Sequence, residues 1–247
     1  MCSVPDPLPI LPFSLRVKFK DDKIILMKCD FHVHTAYSFD STTLPKQMVK
    51  AAIKKGIDCL AITDHNVIGG AREAIEYARG KPILIIPGIE IKTKEGDILG
   101  LNVKEVIPKN LSARETIKKI KEVGGIAIIP HPFGWFCSFL GNLENLIDEI
   151  NGLEVLNSSI FGPGNKKSLS LAQKYSLPFT CGSDAHFPNF VGKCYLEIPG
   201  KNFSLEEILQ KIKNKEGKIR GSEANFFEKI IDHSKRNLAK LKCSTNL

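Results

Sequence analysis

Residues 29–41 have the sequence CDFHVHTAYSFDS, which places His32 and His34 two positions apart at the end of an apolar run, with Asp30 nearby. Side chains alternate between the two faces of an extended segment, so both imidazoles point to the same side and can contact one ion. A single His-x-His pair is weak evidence for a metal site. Its meaning depends on where the other four histidines lie.

Apolar runs that resemble strands alternate with helix-like segments on both sides of this stretch. Residues 57–65, IDCLAITDH, precede the helix-like GAREAIEYARG, and IAIIPHPF at 126–133 precedes NLENLIDEI. Continuous apolar runs are typical of parallel strands that helices cover. About seven such units predict an α/β protein with a closed barrel, and an open doubly wound sheet is the alternative.

Five of the six histidines fall at the carboxyl ends of these predicted strands: His32, His34, His65, His131 and His186. In a barrel those ends converge on one face, which carries the active site. Glu90, Asp64 and Asp184 occupy similar positions. A buried cluster of imidazoles and carboxylates suits Zn, Mn or Fe, and it has more ligands than one ion uses. His233 fits no strand end and is expected to be a surface or capping residue.

The bulk properties restrict the class of protein. Hydrophobic residues make up 43% of the 247 positions and charged residues 25%, which predicts a packed globular core. No apolar run is long enough to cross a membrane. Seven scattered cysteines form no C-x-x-C motif, which predicts reduced thiols and a cytoplasmic location. The net charge of +8 is compatible with a phosphorylated or nucleic-acid partner.

Three segments are expected along the chain. Residues 1–26 are rich in proline and predict an extension or a misassigned start, residues 27–222 the barrel, and residues 223–247 a basic amphipathic helix. The apolar stripe of that helix is expected to pack on the core rather than to bind a partner. It consists of Phe226, Phe227, Ile230, Ile231, Leu238 and Leu241.

Five motifs, DFHVHTAYSFDS, AITDH, PGIE, PHP and GSDAH, occur in this order and resemble the PHP (polymerase and histidinol phosphatase) family, in particular its stand-alone phosphoesterases. The resemblance covers about residues 27–215. It implies a distorted seven-stranded, TIM-like β/α barrel with two or three divalent ions (Mn, Zn, Fe or Mg) at the strand ends.

The resemblance also implies a ligand set. His32, His34, Glu90 and Asp184 would hold one ion, Glu90 would bridge to a second ion bound by His131, and Asp40, His65 and His186 would hold a third. Asp30 and Asp64 would support the imidazoles, and Asp184 or His186 would act as general acid. Many relatives have a histidine where this chain has Asp97, so the second site is expected to prefer Mn or Mg, to be weak or to be empty.

The implied reaction is hydrolysis of phosphate esters by a metal-activated water. The sequence contains no G-x-S-x-G motif and no cysteine that stands out as a nucleophile. The alternatives are a metal-dependent amidohydrolase and a non-catalytic RNA-binding barrel.

Nucleotides or short RNA are the first expectation for the substrate and histidinol phosphate the second. Trp135, Phe133 and Phe136 would either stack a base or form a hydrophobic lid. The sequence leaves the oligomeric state open.

Overall fold

The computed structural model describes residues 25–134 and 139–244, so the predicted extension lies almost wholly outside the described residues. The strands are β1 Leu26–Val33, β2 Cys59–Ile62, β3 Leu84–Lys92, β4 Asp97–Leu101, β5 Ile126–Ile129, β6 Gly152–Asn157, β7 Phe179–Gly182, β8 Cys194–Pro199 and β9 Lys218–Gly221. The α-helices are α1 Pro45–Lys54, α2 Gly69–Ala78, α3 Ala113–Glu122, α4 Gly162–Lys174, α5 Leu205–Lys213 and α6 Phe226–Ser244, and Leu143–Leu146 is a 3₁₀ helix.

The strands form one sheet in the order β7-β6-β5-β4-β3-β2-β1-β8-β9. β2 pairs in parallel with β1 and β3, and β6 pairs in parallel with β5 and β7. β4 is antiparallel to both of its neighbours, β3 and β5. The predicted α/β barrel is confirmed. The sheet has nine strands rather than seven because β8 and β9 add an antiparallel flap to the free edge of β1.

The barrel nearly closes where the chain after β7 meets the end of β1. The backbone N–H of His34 donates to the Ala185 carbonyl at 2.9 Å, and Val33 and Ala185 form a parallel bridge. Asp30 reinforces this seam because it accepts from the Ser183 N–H at 2.8 Å and from the Ser183 hydroxyl at 2.5 Å. The seam therefore lies beside the His-x-His motif.

A register shift in β1 determines which side chains face the interior. Cys29 and Phe31 belong to an apolar cluster that draws on strands around the whole sheet, whereas Val33 packs with α1 residues such as Met48. The ladder with β2 is irregular between Asp30 and Val33. A bulge of this kind re-aims side chains, and here it directs His32 and His34 into the barrel after Phe31.

Amphipathic helices cover the outside of the sheet. In α3, Ser112 accepts from the Glu115 N–H while the Glu115 carboxylate accepts from the Ser112 N–H, which fixes the start of the helix. Its buried face includes Ile117 and Ile120. Each such side chain contributes roughly 1.5–3 kcal/mol when it is fully buried.

The last helix does not match its expected packing. The expectation that its apolar stripe packs on the core is wrong, because Phe227 is 75% exposed and Leu241 is 65% exposed. The helix is anchored instead by other positions, including the buried Asp232 and Ala239. No helix in the described part of the chain is long and apolar enough to cross a membrane.

Candidate metal centre

Eight side chains that the sequence predicts as metal ligands meet at the carboxyl ends of the strands. His32 is in β1 and His34 follows it, His65 follows β2, Glu90 is in β3 and His131 follows β5. Asp184 and His186 follow β7, and Asp40 comes from the loop between β1 and α1. We call this set the ligand cluster: His32, His34, Asp40, His65, Glu90, His131, Asp184 and His186.

Glu90 lies at the middle of the ligand cluster. Its Oε1 is 3.1 Å from His131 Nε2, and its Oε2 is 3.1 Å from His65 Nδ1 and 3.2 Å from His34 Nε2. The two oxygens therefore face different imidazoles. A carboxylate in this position can bridge two ions.

Asp184 and Asp40 provide carboxylates on the other side. Asp184 Oδ1 lies 3.4 Å from His34 Nε2 and 3.6 Å from His186 Nδ1. Asp40 Oδ1 lies 3.2 Å from His186 Nε2, and its Oδ2 is 3.5 Å from His65 Nε2. Asp40 thus reaches the cluster from a loop.

The residues fit divalent ions. Three overlapping groups offer ligand atoms that lie within 4.8 Å of one another, and these groups are His34, His65 and His186; His32, His34 and Asp184; and His32, Glu90 and His131. Asp40 Oδ1 and His186 Nε2 are buried without a well-formed hydrogen bond, although they face each other. Such atoms need a partner, and a cation between them would supply it.

The electrostatics of the cluster agree with this fit. Burial disfavours a charged His34, but hydrogen bonds to Asp184 and Glu90 outweigh it and raise the pKa of His34 to about 9. Burial, together with the nearby positive Arg236 and His34, lowers the pKa of His186 to about 3. The carboxylates therefore attract positive charge, which is a proton on His34 when no ion is bound and which a divalent ion would replace. His186 is already neutral, as a metal ligand must be.

The imidazoles are held in orientation from behind. Glu154, which is buried in β6, accepts from His32 Nδ1 at 3.1 Å and from the His131 N–H at 2.9 Å. A carboxylate only accepts, so the ring proton of His32 is on Nδ1 and its Nε2 faces the cluster. Sequence reasoning missed Glu154, although a glutamate inside the apolar run GLEVLN is a usable indication.

The two aspartates expected to support the imidazoles act less directly. Asp64 accepts from the Ser38 hydroxyl at 2.8 Å, and Ser38 Oγ lies 3.1 Å from His34 Nδ1, so its effect on His34 passes through Ser38. Asp30 binds Ser183 and the Gly192 N–H, and it closes the barrel seam. Burial raises the pKa of Asp30 to about 6 against these hydrogen bonds.

Arg236 of α6 is a second residue that sequence reasoning missed. Its guanidinium contacts Asp184 and Asp232 beside the ligand cluster. In the sequence it is one of several basic residues on a helix, and nothing distinguishes it from the exposed lysines around it.

Asp97 begins β4, opposite Lys92 of β3, and its Oδ1 lies 3.3 Å from Lys92 Nζ. Burial raises the pKa of Asp97, and the nearby negative Glu90 adds to the effect. Both Asp97 and His131 line the cavity that contains the cluster. Asp97 thus lies in the wall of the cavity that contains the cluster, and its role as a ligand in place of histidine stays a prediction.

A cavity of about 610 Å³ opens onto the cluster. Its wall includes Phe39, Phe161 and Phe226, together with Lys92 and Lys229. Phe39 stacks on His65 with ring centroids 5.0 Å apart, and Lys229 Nζ lies 4.0 Å from the centre of the Phe161 ring. The cavity thus combines carboxylates and imidazoles at its base with aromatic rings and cations around them.

Of the three aromatic residues expected at the site, Phe133 is not part of the cavity wall. Phe133 is partly buried against the apolar core, and Trp135 and Phe136 lie outside the described residues. His233, expected at the surface, is exposed and lines the cavity mouth.

Sequence comparison identifies the family. The PHP domain matches residues 30–192. Two uncharacterized proteins of Methanocaldococcus jannaschii are similar, one 44% identical across 53% of this chain and 82% of its own length, the other 32% identical across 82% and 86%. A 5′-3′ exoribonuclease of Haemophilus influenzae is 34% identical across 41% of this chain and 38% of its own length.

Solved structures agree on the fold. A two-domain protein of Bacteroides vulgatus containing a predicted PHP-like metal-dependent phosphoesterase gives a TM-score of 0.70 at 20% identity, covering 86% of this chain and 70% of that one. A lesion-specific endonuclease of Pyrococcus furiosus gives 0.60 at 18% identity, covering 79% and 58%.

The barrel and its ligand cluster define a metal-dependent phosphoesterase, a hydrolase that acts on phosphoester bonds. The chain belongs to the PHP domain family.

Proposed function

We propose that the protein hydrolyses the phosphate esters of nucleotides or short oligonucleotides with two or three divalent ions. The observation that carries this proposal is the ligand cluster at the base of an aromatic and basic cavity. Its volume of about 610 Å³ is within the range of roughly 300–1,000 Å³ that small-molecule sites occupy.

The ligands divide among the ions as follows in this proposal. His32, His34, Glu90 and Asp184 would hold one ion, and Glu90 with His131 would hold a second, for which Asp97 is a further candidate ligand. Asp40, His65 and His186 would hold the third. Divalent ions there lower the pKa of a bound water and offset charge on the phosphoryl oxygens.

The two residues predicted as general acid differ in access. Asp184 lines the cavity, whereas His186 is fully buried. Burial disfavours the charged carboxylate of Asp184, but Arg236 and His32 outweigh it and lower the pKa of Asp184 well below its usual value. Asp184 therefore acts in this proposal as a metal ligand and not as the proton donor. His186 acts by holding an ion in this proposal, and the Asp184 carbonyl, 3.0 Å from His186 Nδ1, fixes its orientation.

The nucleotide part of the proposal rests on the cavity wall. Phe39 and Phe161 are both nearly half exposed and line the cavity with Lys92 and Lys229. Aromatic rings stack bases, and lysines attract phosphates. The similarity to a 5′-3′ exoribonuclease supports the same class of substrate. We rank histidinol phosphate below it because its single imidazole ring is smaller than a nucleobase and covers less of the aromatic wall.

A direct assay tests the proposal. The protein is purified without chelator and given Mn²⁺ with p-nitrophenyl phosphate, bis-p-nitrophenyl phosphate, histidinol phosphate and a short 5′-phosphorylated oligoribonucleotide. We expect metal-dependent hydrolysis that is lost in a His32→Ala/His34→Ala double variant. If no ester turns over and elemental analysis finds no transition metal, the proposal is wrong.

The protein's location is part of the proposal. Cys29, Cys59, Cys181 and Cys194 are buried free thiols in the described structure. Burial raises the pKa of the Cys181 thiol well above its usual value, which keeps it unreactive. Reduced, inert cysteines support a cytoplasmic location.

A further inference from the structure

Helix α6 lies outside the residues matched to the PHP domain, which end at residue 192, yet it forms part of the cavity. Phe226, Ile230 and Arg236 of this helix line the same space as Glu90 and Asp184. A helix that served only to cap the barrel would not need a charged side chain there. The contacts of Arg236 indicate what that charge does.

The Arg236 guanidinium joins three parts of the chain. Its Nη2 donates to the Asp184 carbonyl at 3.0 Å and to the Ser159 hydroxyl at 3.0 Å, and its Nε donates to Asp232 Oδ2 at 2.6 Å. Its Nη2 also lies 3.8 Å from Asp184 Oδ2. Arginine is suited to this because its planar fork of donors can bind several acceptors at once.

Asp184 has a backbone that needs support. Its φ is 51°, in the left-handed region of the backbone that residues other than glycine adopt only uncommonly. Its carbonyl faces both Arg236 and His186 Nδ1, each at 3.0 Å. Its carboxylate meanwhile reaches His34 and His186. The position of this one residue therefore determines the position of several members of the ligand cluster.

The pairing with Asp232 makes the arrangement specific. Asp232 is 8% exposed, and its Oδ1 has no hydrogen-bond partner in the described structure. A buried carboxylate is costly unless a cation pairs with it, and the same is true of a buried guanidinium. Arg236 and Asp232 therefore depend on each other, and together they fix the guanidinium against Asp184.

We propose that Arg236 is a positioning residue that holds Asp184 in its metal-binding pose, so that α6 completes the metal centre of this protein. The proposal rests on the ligand cluster binding metal, as the proposed function requires. It predicts that a change in α6 alters metal affinity although the ligand cluster contains no residue of α6.

Metal binding by itself provides the test, with no substrate present. Mn²⁺ affinity and stoichiometry are measured by calorimetry and elemental analysis for the wild type, Arg236→Ala, Arg236→Lys and Lys235→Gln. We expect Arg236→Ala to lose about 10- to 100-fold in Mn²⁺ affinity, the size typical of residues that orient metal ligands. Arg236→Lys should recover part of it, because lysine keeps the charge but donates from a single point. Lys235→Gln removes one charge from the exposed neighbouring position and should bind as the wild type does.

The steady-state constants add a second measurement. Because Arg236 already binds protein groups, its loss should lower kcat more than it raises KM. If Arg236→Ala does not fold, the Mn²⁺ affinity of Arg236→Lys alone tests the inference. Wild-type affinity and stoichiometry in the folded arginine variants would overturn the inference while the proposed function stands. A wild-type protein that binds no Mn²⁺ would overturn both.

Discussion

Nδ1 of His32 lies 3.1 Å from Oε1 of Glu154, and both side chains are fully buried. The pair joins β1 to β6 past Gly182 of the intervening strand β7. It fixes which nitrogen of His32 faces the ligand cluster. Because burial makes the two groups depend on each other, a change in Glu154 acts on the metal centre without touching the cavity.

Replacement of Glu154 by glutamine should weaken metal binding. The amide keeps the shape of the side chain but loses the charge that holds the Nδ1 proton of His32. We expect about 10- to 100-fold lower Mn²⁺ affinity by calorimetry. Glu144→Gln, which changes an exposed glutamate that pairs with Lys174 and is not part of the cavity wall, is the matched control. Equal affinities for the two variants would mean that Glu154 does not orient His32.

Phe39 and Phe161 should determine the preference for nucleotides. Base stacking on an aromatic side chain is worth about 1–3 kcal/mol, so either alanine variant should lower the ratio of oligonucleotide to p-nitrophenyl phosphate turnover about tenfold. Phe227→Ala removes an exposed phenylalanine of α6 that is not part of the cavity wall, and its ratio should equal that of the wild type. An unchanged ratio in both Phe39→Ala and Phe161→Ala would rule out base stacking on them.

Asp97→His should shift the choice of metal. Aspartate is a hard oxygen ligand and imidazole favours Zn, so the variant should retain more Zn relative to Mn than the wild type does. Elemental analysis after dialysis against equal amounts of both metals measures the ratio. Asp97→Asn, which keeps an oxygen, serves as the control. A ratio that stays the same in Asp97→His would show that Asp97 is not a ligand.

Gly182→Ala should damage both stability and the metal centre. A Cβ at this position would lie 2.2 Å from the Cβ of His32 and 2.7 Å from Glu154 Oε1. Overpacking of this kind costs about 1–3 kcal/mol, which chemical denaturation measures, and Mn²⁺ affinity should fall as well. At Gly162 the nearest atom would be 3.4 Å away, so Gly162→Ala should change the free energy of unfolding little. If the two variants are equally stable, the close approach of β1 and β7 is not tight.

The sequence alone predicted those features that depend on periodicity and on the direction of strands. His65 and His131 follow apolar runs, and parallel strands bring such positions to one edge. The antiparallel β4 and the β8–β9 flap were harder to predict because apolar runs do not encode the direction of a neighbouring strand. The register shift that turns His32 inward leaves no trace in the pattern either.

Residues that act through another residue were the least accessible to sequence reasoning. Arg236 gains its role from a tertiary contact with Asp184, and in α6 it is one basic residue among several. The apolar stripe of α6 was misjudged for a related reason. Helical spacing shows that Phe227 and Leu238 share a face, but it does not show whether the barrel covers that face.

The seam between β1 and β7 has a consequence for how the protein folds. Asp30 and Ser183, which hold the seam, are 153 residues apart in the chain, so the barrel closes through one of its longest-range contacts. Contacts between residues so far apart in the chain form slowly. The ligand cluster straddles the seam, and a partly synthesised chain that has not reached residue 183 lacks Asp184 and His186. The complete ligand cluster therefore forms only after residues 184 and 186 have been synthesised and the seam has closed.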